Sequence, residues 1–360
     1  MKTVVVSVSN DITHDQRVAK VCSTLHNNGF QVKVVGRKLK NSRPLNFPYQ
    51  TKRIKLLFNK GFLFYFELNV RLFFFLLFTK KDVLLANDLD TLLPNHLVSK
   101  LTKKKLVFDS HEFFSEIPEL VDRNFTKQVW QTLERLLIPK QKLGITVSNG
   151  IAQEYLERFK VSFNVIKNYP KRNETIKNSN SNPFDGNDKS IILYQGAVNL
   201  GRGLELMIDT MHYLPDCQLV IIGDGDLMNE LKNKVESSSL SDRISFLGKK
   251  TPEDLRKITP WASIGISLEE DLGLNYRYAL PNKLFDYIQA EVPVLVSNLP
   301  EMKHIVETHK VGEVINSREP EALAEQMKKM LHKDFSKNLS KAKKEFIWEY
   351  QEQKLLAIFQ

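Results

Sequence analysis

Cysteine is nearly absent: the 360 residues contain only Cys22 and Cys217, far apart and in no CxxC or metal-ligand spacing. That excludes a disulfide scaffold and fits a reducing cytoplasm. A secretory leader is also missing. The opening MKTVVVSVSN is a strand-like run with no longer apolar core and no small-residue cleavage site, so the expected location is inside the cell. The three-glycine dinucleotide fingerprint does not occur either, since the Gly-rich turn IIGDGDL at 221–227 lacks its spacing, and this argues against an NAD enzyme. Nor is there an uninterrupted apolar run of spanning length. GFLFYFELNVRLFFFLLF at 61–78 is broken near its middle by Glu67, Asn69 and Arg71, where each charge in a spanning helix would be costly.

Acidic residues are scarce in the first half. Residues 1–170 hold 27 Lys and Arg against 14 Asp and Glu, whereas residues 171–360 hold 25 against 28, so the net charge of +10 belongs to the front of the chain. A basic face of this kind points to nucleic acid, an anionic membrane surface or a phosphate-bearing partner. The aromatic segment 61–78 helps to choose. Its rings are clustered rather than interleaved with basic residues, which argues against nucleic acid. Phe62, Phe64, Phe66, Phe73, Phe74 and Phe75, flanked by Lys52, Arg53, Lys55, Lys60, Lys80 and Lys81, fit a helix lying at an anionic membrane interface. A helix packed inside the domain fits the same pattern, and both readings stay open at this point.

What is abundant is alternation of apolar strands with amphipathic helical stretches, the pattern of parallel sheets covered on both faces. Strands are expected at 3–7, 31–35, 83–86, 106–108 and 144–147. After a polar stretch at 168–190, rich in Asn, Ser, Lys and Pro, six more are expected at 190–194, 218–222, 243–247, 264–267, 292–296 and 312–315, with helices near 202–213, 226–237 and 319–332. Two Rossmann-like α/β domains follow, 1–168 and 190–344, joined by a linker at 169–189. Such sheets bind ligands past the carboxyl ends of their strands, so the site is expected in a cleft between the domains.

Four segments carry the chemistry. In ALPNKLFDYIQAEVPVLVS at 279–297, Pro281 and Asn282 precede a helix expected from Lys283, with Asp286 in its first turn and a buried strand after it. Loop amides, a positive helix end and Lys283 would cradle a phosphate. In YQGAVNLGRGLELMIDTM, Gly196 allows close backbone approach and Arg202, at the expected helix start, can fork onto phosphate oxygens; Gly225 repeats the Gly-rich theme in the next turn. VFDSHEFFSEIPE at 107–119 sets Asp109, His111 and Glu112 just past a strand. The NDLD at 87–90 resembles a metal-binding DxD only superficially, and Asp88 and Asp90 are read as acceptor contacts or helix caps. Each segment also has a plain reading, as turn residues, solvated charges or a satisfied structural histidine.

The order and spacing of these segments, with FLGKKTPEDL at 246–255, resemble glycosyltransferase family 4, of the GT-B fold, over most of the chain. The resemblance implies two Rossmann-like domains with parallel sheets facing a central cleft. It also implies a retaining transferase using a nucleotide-sugar donor. It assigns Asp286 to the ribose, Arg202 and Lys283 to the diphosphate, the loop at Gly248 and Lys249 to the base, and His111 to the catalytic histidine; Gly196, Gly225 and Asn282 complete the donor site. The closing helix at 346–359, within a last segment 345–360, resembles the one that crosses back onto the first domain. The chain departs from the family in three places. Tyr278 and Asp286 replace the usual pair of glutamates, with Glu269, Glu270 or Asp271 as substitutes for the first. Glu291 stands where glycine is usual, at a cost of about 1 kcal/mol if the turn is left-handed. The first loop lacks paired glycines and offers Asp15 and Arg17, which with Asp88, Asp90 and Glu112 form the expected acceptor side.

The expected function is therefore transfer of a sugar from a nucleotide-sugar donor to a lipid-linked or other saccharide acceptor in cell-surface glycan synthesis. The expected setting is the inner face of the cell membrane, with no cofactor, no metal and no nucleic-acid partner. A nucleotide-sugar 2-epimerase of the same fold, and a non-catalytic GT-B subunit that binds a partner or membrane, remain as alternatives.

Overall fold

A computed structural model describes residues 1–116, 123–172, 183–184 and 189–360. Most of the expected linker and the end of the 107–119 segment lie outside the described residues. The chain divides into two compact units, one of residues 1–168 with 351–360, the other of residues 169–350.

The first unit contains seven strands: β1 (Thr3–Ser7), β2 (Gln31–Lys38), β3 (Gln50–Lys55), β4 (Val83–Asn87), β5 (Lys105–Ser110), β6 (Gly144–Thr146) and β7 (Phe163–Val165). They pair in parallel in the order β3-β2-β1-β4-β5-β6-β7. β1 and β4 are buried along their whole length, as apolar strands covered on both faces must be. The two strands that apolar patterning missed, β3 and β7, are the sheet edges; β3 reads QTKRIK and carries polar side chains toward solvent. The closing helix Glu349–Phe359 reaches this unit, where Thr24 Oγ1 donates to Glu352 at 2.7 Å and Phe359 meets Phe30 edge-on.

The second unit contains β8 (Ser190–Ala197), β9 (Cys217–Asp224), β10 (Ile244–Phe246), β11 (Ile264–Ser267), β12 (Val294–Val296) and β13 (Gly312–Val314). All are parallel, in the order β10-β9-β8-β11-β12-β13. The turn into β12 is left-handed at Glu291, whose φ is 59°, so this position carries the strain that a glycine would avoid.

The helix Gly61–Phe78 buries one residue per turn, Phe64, Leu68, Leu72 and Leu76, against β1, β2, β4 and the segment at Leu56. A stripe that narrow leaves the rest of an apolar helix outside. Phe62 is 72% exposed, Phe66 58% and Phe78 82%, with Leu63, Val70 and Phe74 also open, and Leu57 and Phe58 extend the patch. Glu67, which interrupts the apolar run, accepts from the backbone N–H groups of Leu57 and Phe58 and pairs with Arg71 at 2.8 Å. Of the expected interfacial residues, Phe64 is in the core. Arg53 is paired with Asp11, and Lys81 is buried with its ammonium donating to the Leu77 and Thr79 carbonyls. Lys52, Lys55, Lys60 and Lys80 are exposed.

Candidate active site

In the second unit three loops leave the carboxyl ends of β8, β9 and β10 and lace together through their backbones. Val198 N–H donates to the Asp224 carbonyl at 3.1 Å, Leu227 N–H to the Val198 carbonyl at 3.0 Å, and Gly223 N–H to the Gly248 carbonyl at 3.0 Å. Glycine is required at this crossing: a Cβ on Gly223 would lie 1.7 Å from the Gly196 carbonyl oxygen, and one on Gly225 2.2 Å from Asn199. Gly196 itself sits at a φ of 143°, beside the Lys283 side chain.

On this scaffold two cations meet one carboxylate. Lys283 Nζ is 2.8 Å and Arg202 NH1 3.5 Å from Glu269 Oε1, and Ser267 Oγ donates to Glu269 Oε2 at 2.7 Å. Glu269 is 0% exposed. Burial alone would raise its carboxyl, but the ammonium and guanidinium outweigh that and hold it below the ordinary value. Arg202 also lies over the Tyr276 ring and Lys283 over Tyr194. Of the three acids offered by the sequence Glu269 is the one turned inward, while Glu270 and Asp271 turn outward to Arg318 and Arg277. Two positive groups against one negative leave an excess charge suited to a phosphate oxygen.

Two helix starts differ from expectation. Gly203, at φ 73°, precedes a helix that begins only at Leu204, so Arg202 lies in the turn before it. The helix Asn282–Gln289 begins one residue earlier than read, which moves Asp286 out of the first turn to its fifth position. There the half-buried carboxylate accepts from Gln195 Nε2 at 3.1 Å, and Gln195 Oε1 accepts from Thr259 Oγ1 at 2.9 Å. Sequence reasoning missed Gln195 and Thr259; the position of Gln195 directly before Gly196 at the strand end was the available signal. Asn282 and Lys249 are exposed, Lys249 lying 3.5 Å from Asp224.

In the first unit the register of β4 on β5 pairs Asn87 with Asp109, which brings Asp88 and His111 together just past the strand ends. The Asp88 carboxylate accepts the His111 backbone N–H at 2.8 Å and lies 3.4 Å from ring Nδ1; Nε2 is 3.4 Å from Asp109. Burial would lower the imidazole, but Asp88 and Asp109 override it and hold His111 at about 9. Asp88 stands at the N-cap position of the helix Leu89–Thr102 but makes no side-chain cap bond, so the capping role is corrected. Asp90 is buried, and burial together with the Asp88 charge pushes its carboxyl to about 7.

Arg17 is also corrected. It is 3% exposed and donates to both Asp109 oxygens, at 2.8 and 3.1 Å, and to the Ile166 carbonyl, so it holds Asp109 in place rather than facing an acceptor. Asp15 caps the helix Gln16–Asn27 through Val18 N–H at 2.9 Å. Glu112 is exposed, its carbonyl accepting from Ser110 Oγ. A separate cavity of about 510 Å³ is lined by Ser115, Glu134, Arg135 and Arg158 among others; burial pushes the Glu134 carboxyl to about 7.

Two sequence families match the chain: Glycosyltransferase Family 4 over residues 16–168 and Glycosyl transferases group 1 over residues 174–346. No curated protein matches it. Among solved structures, sucrose-phosphate synthase from Thermosynechococcus elongatus is similar with a TM-score of 0.80 at 15% identity, over 100% of this chain and 98% of that one. HepE from Anabaena in complex with UDP-glucose gives 0.76 at 15%, over 100% and 99%. The lipopolysaccharide outer core galactosyltransferase WaaB gives 0.67 at 13%, over 99% of each chain.

Proposed function

The chain belongs to the GT-B glycosyltransferases, and on that premise we propose that it moves a sugar, with retention, from a nucleotide-diphosphate donor to a lipid-linked saccharide acceptor at an anionic membrane surface. The observation that carries the donor half is the Arg202–Glu269–Lys283 cluster, whose excess positive charge would stabilise the departing diphosphate as the anomeric carbon becomes cationic. Asp286 would hold the ribose, and the loop at Gly248 and Lys249 the base; the binding of UDP-glucose by HepE supports a donor of this class. No metal is assigned a role. His111, charged between Asp88 and Asp109, would steady the charge that develops as the glycosidic bond breaks, and the acceptor hydroxyl would attack from the face the nucleotide leaves.

The acceptor half rests on the exposed face of the helix Gly61–Phe78. Its open aromatic and aliphatic side chains form an exposed apolar surface, flanked in sequence by the exposed Lys52, Lys55, Lys60 and Lys80, of the kind that meets a membrane or a partner. This supports an acceptor met at a membrane surface.

Nucleoside diphosphate release from a panel of nucleotide sugars, measured without acceptor, tests the enzyme reading. Slow hydrolysis of one donor, lost in His111→Ala at unchanged nucleotide affinity, is the expected result. Binding without any turnover, with or without lipid-linked saccharides, would instead make the chain a non-catalytic subunit.

A further inference from the structure

Asp88 has a backbone that does not suit its side chain. At φ 58° and ψ 167° it occupies a region almost confined to glycine, whereas a residue at a helix N-cap ordinarily lies in the β region. Such strain persists only where the surroundings over-determine it. The surroundings here are specific: the Asp88 N–H donates to the Asp109 carbonyl at 2.9 Å, and its carboxylate accepts the His111 N–H at 2.8 Å. The second carboxylate oxygen lies 3.4 Å from His111 Nδ1.

We propose that Asp88 is the positioning residue of His111, its strained turn aiming one carboxylate at both the main chain and the ring of the histidine, so that the imidazole is held in one orientation in its charged form. This rests on the reading of His111 as a participant in transfer. The alternative for the ring, a neutral general base, is disfavoured by its surroundings. Asp88 faces Nδ1 and Asp109 faces Nε2, and Asp90 adds negative charge nearby once it ionises; the opposing cation Arg17 is engaged with Asp109. The direction of the His111 shift agrees with a held proton. A structural account of Asp88 as a helix cap has no bond to stand on, because its side chain contacts no N–H of the helix that follows.

The test separates position from mere folding by using two variants. Asp88→Asn keeps the size of the side chain and removes the charge; Asp88→Gly removes the side chain and suits the backbone. In the full-length protein, NMR titration of the histidine rings, with the His111 signal identified by its loss in His111→Gln, should show the His111 midpoint falling by about one unit or more in both variants. Donor hydrolysis should fall at least roughly tenfold, and its alkaline limb should move down with the midpoint. Asp88→Gly should nonetheless melt above Asp88→Asn, since both lose the charge and only glycine relieves the turn. An unmoved His111 midpoint in both variants overturns the proposal. A midpoint that moves while the rate and its pH profile stay parental overturns it differently: the contact is then real, and it is the role of His111 in transfer that fails.

Discussion

Each unit carries a buried charge cluster just past the carboxyl ends of its strands, and the two clusters have opposite excess. In the first unit Asp109 holds the guanidinium of Arg17, Asp88 and Asp109 flank the imidazole of His111, and Asp90 adds a third acidic group, its carboxyl raised to about 7. In the second, Arg202 and Lys283 share the single carboxylate of Glu269. An excess of carboxylates retains a proton on the imidazole; an excess of cations is completed by an anion from solution. The first cluster is thus suited to holding a charged imidazole in place, and the second to receiving phosphate.

The comparison breaks most visibly at Glu269. With this carboxylate neutralised in Glu269→Gln, the buried ammonium of Lys283 and the partly exposed guanidinium of Arg202 lose the charge they share, and stability should fall by up to about 3–5 kcal/mol, read from the thermal transition in the absence of nucleotide. A nucleoside diphosphate should restore part of the loss by supplying the missing charge. A variant as stable as the parent would mean that the two cations are solvated and the cluster is not a desolvated clamp.

Next in size, Arg202→Ala and Asp286→Ala should each weaken nucleoside diphosphate binding by about 1.5–3 kcal/mol, one through a charge-assisted phosphate contact and the other through the ribose acceptor. Calorimetry decides this. Parental affinity in both variants, with the fold intact, would remove the donor site from these loops.

The pH dependence of stability sharpens the first cluster. Asp90 and Glu134, ordinarily at 3.8 and 4.5, are raised to about 7, and His111, ordinarily at 6.5, to about 9. Each folded value lies above the unfolded one, so each contribution is complete at low pH and is lost as pH rises through the folded value. Asp11 and Asp109, lowered to about 2, act oppositely, but only below 3.8; His96, lowered from 6.5 by burial, offsets part of the decline below 6.5. The melting temperature should therefore decline from pH 5 to pH 9, and Asp90→Asn should flatten the part below pH 7 while leaving the His111 part. A profile rising from pH 5 to 9 would contradict the protonation states described here.

The smallest effect per residue concerns the surface. Exposed Lys52, Lys55, Lys60 and Lys80 should each add about 1 kcal/mol to binding of anionic vesicles at low salt, and replacing Phe62, Phe66 and Phe74 by serine should weaken it further. Co-sedimentation that is insensitive to lipid charge, or absent, would leave the apolar face for some other partner.

Much of the fold was legible because buried parallel strands must be apolar throughout, and the runs at 3–7, 83–86 and 264–267 could serve no other purpose. The Gly-rich turns were legible too, since close backbone crossings exclude a Cβ. The edge strands β3 and β7 were not, because an edge tolerates polar residues and short length. For the helix Gly61–Phe78 the sequence determined that it would be a helix and apolar; only packing decided that a single stripe of four residues would be covered. The site divides in the same way. Arg202 and Lys283 could be named from residue type and local context and Asp286 and His111 through the family resemblance, whereas which of Glu269, Glu270 and Asp271 would turn inward depended on the path of the chain after β11. Asp88 and His111 are distant in sequence, and no local pattern joins them. Strand register made them neighbours, because a charge interaction depends on distance in space and the sequence records distance only along the chain.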